Sequence, residues 1–397
     1  MSKKIIIGVA LFILIIILTI IGIVLLNKKE YYELDINDVY IEKKEIDVYE
    51  KTILSEIIHL CDECILSKDY DIDTDEIGEK ILEINYTKDN DKYKGSLEVN
   101  VVDKVPPYIG IGSYYNHIKD TNFTFDKDIL CADNYDRNIK CEIIGDYNLT
   151  ELKETNLKVV AEDQSGNVTE KNFILKIVEK TNNQSKPTYI SLNEALERKP
   201  ENAEIMIDVS KWQEDIDWEK VKEAGVNYAM LRLGTQRNVD EDSVIDAYFE
   251  KNIKEAHENG IKVGVYYYTY ANDIEDAKVQ AKWVKEQLKN YNLELPVAFD
   301  WECWRKFNDF HISLHDLNEI ARTFLSELEK DGYKVVNYGS KSYLERIWVL
   351  DEYDIWLAHY TKETNFSKDY VMWQFTDSGL LNGVKGPVDF NYLYIAQ

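Results

Sequence analysis

From residue 204 onward, short apolar runs alternate with longer stretches in which apolar residues recur every three or four positions. EIMIDVS is followed by WEKVKEAG, YAMLRLG by DAYFEKNIKEAHENG, and KVGVYYYT by IEDAKVQAKWVKEQLKNY. PVAFDWE is followed by LHDLNEIARTFLSELEKDG, and KVVNYGS by SYLERIWV. The first member of each pair reads as a strand and the second as an amphipathic helix. Gly225, Gly260, Asn292 and Gly332 stand where four of these helices need a C-terminal cap. Three further apolar runs, DIWLAHY, YVMWQFT and VDFNYLY, have little helix between them. Strand–helix alternation predicts a parallel sheet. Eight such runs predict an α/β, (β/α)8-like barrel over residues 204–397, with helices missing from its last three units.

The preceding chain has a different rhythm. Between residues 38 and 180, short alternating strands such as KILEINYT, SLEVNVVD, NLKVVAED and NFILKIVE are separated by the polar turns KDND, ADNYD and DQSGN. This pattern predicts two all-β sandwich units, residues 38–104 and 105–180, making the protein multidomain. The D-x-S-G-N turn and the VPPYI between the units resemble bacterial immunoglobulin-like surface repeats. That resemblance implies a spacer or a weak wall-binding module. Residues 181–203 are polar, with prolines, and read as a linker with one short helix.

Residues 5–26 carry no charge, and as a helix would span about 33 Å, enough for a bilayer core. The expectation is a membrane anchor over residues 1–30, a single-pass cell-membrane location, and a C-terminal part outside the cell. The net charge of −26 argues against nucleic acid as a partner, since phosphate binding needs a basic surface. Outside the membrane, Cys61 with Cys64 and Cys131 with Cys141 are candidate short-loop disulfides, leaving Cys303 over.

The chemistry sits at the strand ends. The first barrel strand ends with Asp208, the fourth with Asp300 and Glu302, and the eighth begins with Asp389. In a barrel these ends share one mouth, where Tyr266, Tyr268, Trp301, Tyr338, Tyr360 and Trp373 supply aromatic walls. Asp300 and Glu302 stand two apart on a strand, so both point to one face, with Cα atoms about 6.6 Å apart. Two like charges this close push one pKa up, and aromatic walls push it further. The protonated member can then donate to a glycosidic oxygen while its ionised neighbour stabilises positive charge on the sugar. No metal and no cofactor is required by this reading.

The stretches IDVSKWQEDIDW, VAFDWE, YVMWQFT and GPVDFNYLY, in this order, resemble family 25 glycoside hydrolases, the lysozymes of autolysins and phage endolysins. The resemblance implies an N-acetylmuramidase acting in local cell-wall remodelling. Its partners would be peptidoglycan glycan strands, cut at the β-1,4 bond between N-acetylmuramic acid and N-acetylglucosamine, and the membrane through the anchor. Glu302 would be the general acid, Asp300 the neighbouring catalytic carboxylate, and Asp208 and Asp389 the other acids of the cleft. Gln213, Arg232, Tyr266, Tyr268, Tyr338, Trp373, Gln374 and Asn391 match positions that shape the family's cleft. Trp301 departs from the family's smaller apolar middle residue and is expected to pack rather than react. The alternative is an inactive, glycan-binding surface protein.

Overall fold

The computed structural model describes residues 31–122, 129–180, 188–236, 238 and 241–395. The anchor expected over residues 1–30 lies outside them. Among the described residues no helix is long and apolar enough to cross a membrane. The expected single-pass anchor and the location inferred from it are therefore not supported. The chain divides into two compact units, the first ending at Lys104 and the second starting at Val105.

The first unit is built on the antiparallel pair Gly78–Lys88 and Asp91–Val102. Tyr32–Glu33 and Glu45–Asp47 join the second strand in parallel, and Ile65–Leu66 joins the first. A separate ribbon pairs Val39–Ile41 with Ile58–Leu60. Val39, Ile46, Leu54, Ile57 and Ile84 fill the core, and Cys61 is bonded to Cys64. This sheet thus mixes parallel and antiparallel pairings.

In the second unit, residues 105–180 form a four-stranded sheet of Lys140–Ile144, Glu154–Glu162, Val168–Val178 and Tyr114–Ile118, the last strand parallel to its neighbour. A short ribbon pairs Tyr108–Gly110 with Leu130–Ala132, and Cys131 is bonded to Cys141. This segment is not a detached spacer: Leu130 and Ala132 are buried in the same core as the barrel. Part of the expected linker is also structured. Ile190–Ser191 pairs with the barrel sheet, and Ser191 caps the helix Leu192–Glu197.

The barrel strands are β1 (Ala203–Val209), β2 (Tyr228–Gln236), β3 (Lys262–Thr269), β4 (Val297–Trp301), β5 (Val335–Ser340), β6 (Asp354–Ala358), β7 (Met372–Leu380) and β8 (Val388–Tyr394). Neighbours from β1 to β7 pair in parallel. β8 closes the barrel antiparallel to both β7 and β1. The connections carry α1 (Trp218–Glu223), α2 (Phe249–Glu258), α3 (Ile274–Leu288), α4 (Leu314–Glu329) and α5 (Lys341–Arg346). This eight-stranded closed barrel is not a (β/α)8 barrel, which corrects the expected class. Only a short turn joins β7 to β8, too short for a crossover, so the last strand must return antiparallel.

Strand alternation sorts the core into two layers. Ile205, Ile207 and Val209 face outward with the helices, while Met206, Met230, Ala298, Val336, Met372 and Leu393 fill the interior. Leu314, Leu317, Ile320, Ala321, Phe324, Leu325 and Leu328 put the buried face of α4 against the sheet, each large side chain contributing about 1.5–3 kcal/mol. Gly264 on β3 lets the interior close. A Cβ there would lie 2.6 Å from Met230 Sδ, 2.7 Å from Leu295 Cβ and 2.7 Å from Pro296 O. Gly264→Ala is therefore expected to destabilise the barrel by about 1–3 kcal/mol, read as a lower denaturant midpoint with an unchanged slope. An unchanged midpoint would mean that the backbone yields there freely.

Candidate active site

The inward-facing residues above the apolar plug are polar and aromatic. Asp208 on β1, Arg232 on β2, Tyr266 and Tyr268 on β3, Asp300 on β4, Tyr338 on β5, Gln374 on β7 and Asp389 on β8 line one cavity of about 350 Å³. Glu302, one residue past the end of β4, lines the same cavity, as does Gln213 from the turn Lys211–Gln213. Asp300 and Glu302 thus face one space. Trp301 between them is buried on the outer side, its Nε1 donating to Ala271 O at 3.0 Å.

Two residues expected in the cleft lie elsewhere. Trp373 faces the outer core and donates to His359 O at 2.9 Å. It is adjacent to the inward Gln374, and neighbours on a strand face opposite ways. Asn391 lies beneath the cavity, fully buried, as a support. Conversely, Ser210, Trp212 and Trp356 line the cavity and were not picked out from the sequence, and Tyr360 lines it too. Trp356 shares a strand face with Ala358, so the period of β6 was the available signal for it. Trp212 is 74% exposed, with Lys211 Nζ 5.0 Å from its ring centroid.

A hydrogen-bond network fixes the acids. Asn391 Nδ2 donates to Asp208 Oδ2 at 2.7 Å, and Gln374 Nε2 donates to the same oxygen at 3.0 Å and to Asp389 Oδ2 at 3.2 Å. Gln374 Oε1 accepts from the hydroxyls of Tyr338 and Tyr360, each at 3.0 Å. Trp356 Nε1 donates to Asn391 Oδ1 at 2.8 Å, which fixes the orientation of that amide. Arg232 is held by Asp246, with Nε 2.8 Å and an outer guanidinium nitrogen 2.6 Å from Asp246 Oδ2.

Burial pushes Asp208 up from the ordinary carboxylate range, opposed by its hydrogen bonds from Gln374, Asn391 and Asp389. Asp389 is pushed up by burial and then by the charge of Asp208. Its register partner across the β1–β8 pair is Asp208. Asp300 is driven well above the usual range by burial, by Glu302 and by Asp208, with Arg232 pulling the other way. Its Oδ1 is buried and has no hydrogen-bond partner among the described residues. Glu302 also rises, through burial and then the charge of Asp208, with the neighbouring Tyr338 hydroxyl pulling the other way. Its side chain is nevertheless exposed, at the open side of the cleft. Burial favours the neutral form at both carboxyl groups before substrate arrives. Cys303 is raised by burial and by Asp300, and its Sγ lies 3.5 Å from Thr269 O, which makes it a packing residue.

Neighbouring carboxyl groups with raised pKa at a barrel mouth lined by aromatic rings fit the arrangement of a glycoside hydrolase. Residues 207–384 match the family described as Glycosyl hydrolases family 25. The chain is 31% identical over 190 residues to the uncharacterized protein YegX of Escherichia coli K12, an alignment covering 47% of this chain and 67% of that one. The chain belongs to glycosyl hydrolases family 25. It is 25% identical over 188 residues to an autolytic lysozyme of Clostridium acetobutylicum, covering 47% of this chain and 54% of that one. Among solved structures, the modular autolysin LytC of Streptococcus pneumoniae is 27% identical, with a TM-score of 0.44, covering 60% of this chain and 56% of that one.

The raised Asp300 has a sign that can be measured. Below the ordinary carboxylate range Asp300 is protonated whether folded or unfolded, and it costs nothing. As pH rises, the unfolded chain releases this proton while the folded chain holds it, so folded stability is lost up to the raised pKa. Asp300→Asn is expected to stabilise the fold at about pH 7 by about 1–3 kcal/mol, with the gain vanishing near pH 3. Denaturant titrations at both pH values check this, and a variant less stable at neutral pH would show that the carboxylate has a compensating partner.

Proposed function

We propose that this protein hydrolyses the β-1,4 bond between N-acetylmuramic acid and N-acetylglucosamine in peptidoglycan, in the remodelling of the cell wall. The observation that carries this reading is that Asp300 and Glu302 face one cavity, both with raised pKa, among Tyr266, Tyr268 and Tyr338. Relatives described as an autolytic lysozyme and as lysozyme M1 support the substrate class.

Glu302 is the general acid in this reading, because it stands at the open side where a glycosidic oxygen arrives. A glycan filling the cleft displaces water from the Glu302 carboxyl and raises its pKa further. Asp300 lies deeper. As positive charge develops on the sugar, the opposite charge favours ionisation of Asp300, with Arg232 assisting. The buried carboxyl thus becomes negative when that charge is useful. Asp208, Asp389 and Gln374 form the polar floor, and the exposed ring of Trp212 at the rim offers an apolar face to a sugar.

Digestion of purified peptidoglycan followed by mass spectrometry of the fragments tests the bond. Muramic acid at the new reducing ends is the expected result. Glucosamine there would refute the assignment, and binding without release would favour the glycan-binding alternative. Glu302→Gln is expected to lower kcat by at least about 10²-fold, since it keeps the shape and removes the proton. In the wild type, kcat should fall on the alkaline side with an apparent pKa above the ordinary carboxylate value of 4.5, because the acid must be protonated. A near-normal kcat in the Glu302→Gln variant would reassign the acid.

A further inference from the structure

Glu302 has left the strand, yet the chain that follows it is held from outside the barrel. Beyond Glu302 the chain makes the short helical stretch Trp304–Phe310, turns at His311 with a left-handed backbone (φ 50°), and enters α4 at Leu314. The first N–H groups of a helix have no partner within the helix. In α4 two of them are satisfied by the neighbouring β segment: Leu314 N donates to Asp133 O at 2.7 Å and His315 N to Asn134 O at 3.2 Å. Arg137 clasps Asp316 at two points, Nε to Oδ2 at 2.8 Å and a terminal nitrogen to Oδ1 at 3.0 Å. Asp316 Oδ2 also accepts from Ser313 N at 2.8 Å, completing the helix cap. His311 Nδ1 lies 3.2 Å from Asn138 Oδ1. Every outside partner falls within the loop that the Cys131–Cys141 bond closes. That loop precedes residue 207, where the family match begins.

We propose that this cross-linked loop is a positioning element for Glu302, with Arg137 as its principal residue. By fixing the start of α4 it fixes the Trp304–Phe310 stretch, whose Trp304 stacks on Tyr343 at 3.9 Å and meets Trp301 edge-on at 4.8 Å. These rings set the path of the chain immediately after Glu302. Arg137 touches no reacting atom and acts through Asp316. Its side chain is 62% exposed, so its ion pair adds little to stability, and its contribution is geometric. The inference rests on the assignment of Glu302 above.

The test uses the full chain with Arg137→Ala and Arg137→Lys. In Arg137→Ala, kcat is expected to fall about tenfold with KM within about twofold, because small displacements of a catalytic group are costly. The alkaline limb should move toward the ordinary carboxylate range as water reaches Glu302, and Arg137→Lys should recover part of both effects. Amide exchange over residues 303–316, and NMR titration of the Glu302 carboxyl assigned with Glu302→Gln, read the same change without turnover. Faster exchange together with a lower Glu302 pKa supports the inference. Faster exchange with unchanged pKa and kcat, or no change at all, overturns it. Should Arg137→Ala fail to fold, Asn138→Ala is read by the same measurements, and unchanged exchange and titration would again overturn the inference. If the wild type releases no glycan fragments, the hydrolase assignment fails, while exchange and titration still decide whether the loop positions Glu302.

Discussion

The antiparallel closure between β1 and β8 is the constraint on which the site depends. It sets Asp208 opposite Asp389 and places Asn391 one inward position deeper, close enough to donate to Asp208. The β7–β8 pair then brings Gln374 over both acids. A parallel eighth strand would present its other end to the mouth and remove Asp389 from it. The short turn that ends the helical pattern is therefore also what completes the acidic floor. Gln374 can serve both acids because its own oxygen is occupied by two tyrosine hydroxyls, which leaves its amide hydrogens pointing at the carboxyl groups.

Concentrating four carboxyl groups in one cavity works against folding, and the rest of the barrel offsets that cost. The interior plug of Met206, Met230, Met372 and Leu393 lies directly below, and the outer layer of helices buries the other strand face. Within the site, compensation is uneven. Asp208 has several donors, whereas Asp300 retains a buried oxygen without one. An unsatisfied group maintained by a well-packed frame is where function is bought with stability.

Much of the site was legible in the sequence because strand alternation and barrel topology are local rules. Acids at the ends of IDVS and FDWE and at the start of VDFN share one mouth if those runs are strands of one barrel. The misplacement of Trp373 came from setting that same rule aside, since Trp373 and Gln374 are consecutive and only one can face inward. Trp212 carries no periodic signal, because it lies in a turn whose path depends on contacts such as Lys211 N to Asp246 at 3.1 Å. The mixed sheets before residue 180 were less legible for a related reason. Their parallel pairings, Tyr114–Ile118 with Val168–Val178 and Glu45–Asp47 with Asp91–Val102, join strands far apart in sequence, and nothing in a local pattern specifies them. The apolar run of residues 5–26 shows another limit: hydropathy describes a segment but does not place it.

The two neighbouring acids are held by different means, and the difference follows from where each sits. Asp300 belongs to β4, whose ladder to β3 includes the pairing of Tyr268 with Asp300 itself, so the sheet fixes its backbone. Glu302 lies past the end of β4, where that ladder has ended. A group with one fixed backbone neighbour and a turn behind it needs its geometry supplied by side-chain packing and by whatever anchors the far end of the turn. In this chain the far end is the N-terminus of α4, whose leading N–H groups must be satisfied in any case. Using the carbonyls of Asp133 and Asn134 for that purpose joins an obligatory hydrogen-bond requirement to the placement of the acid. The segment before the barrel is thereby part of the barrel's architecture rather than only a carrier for it.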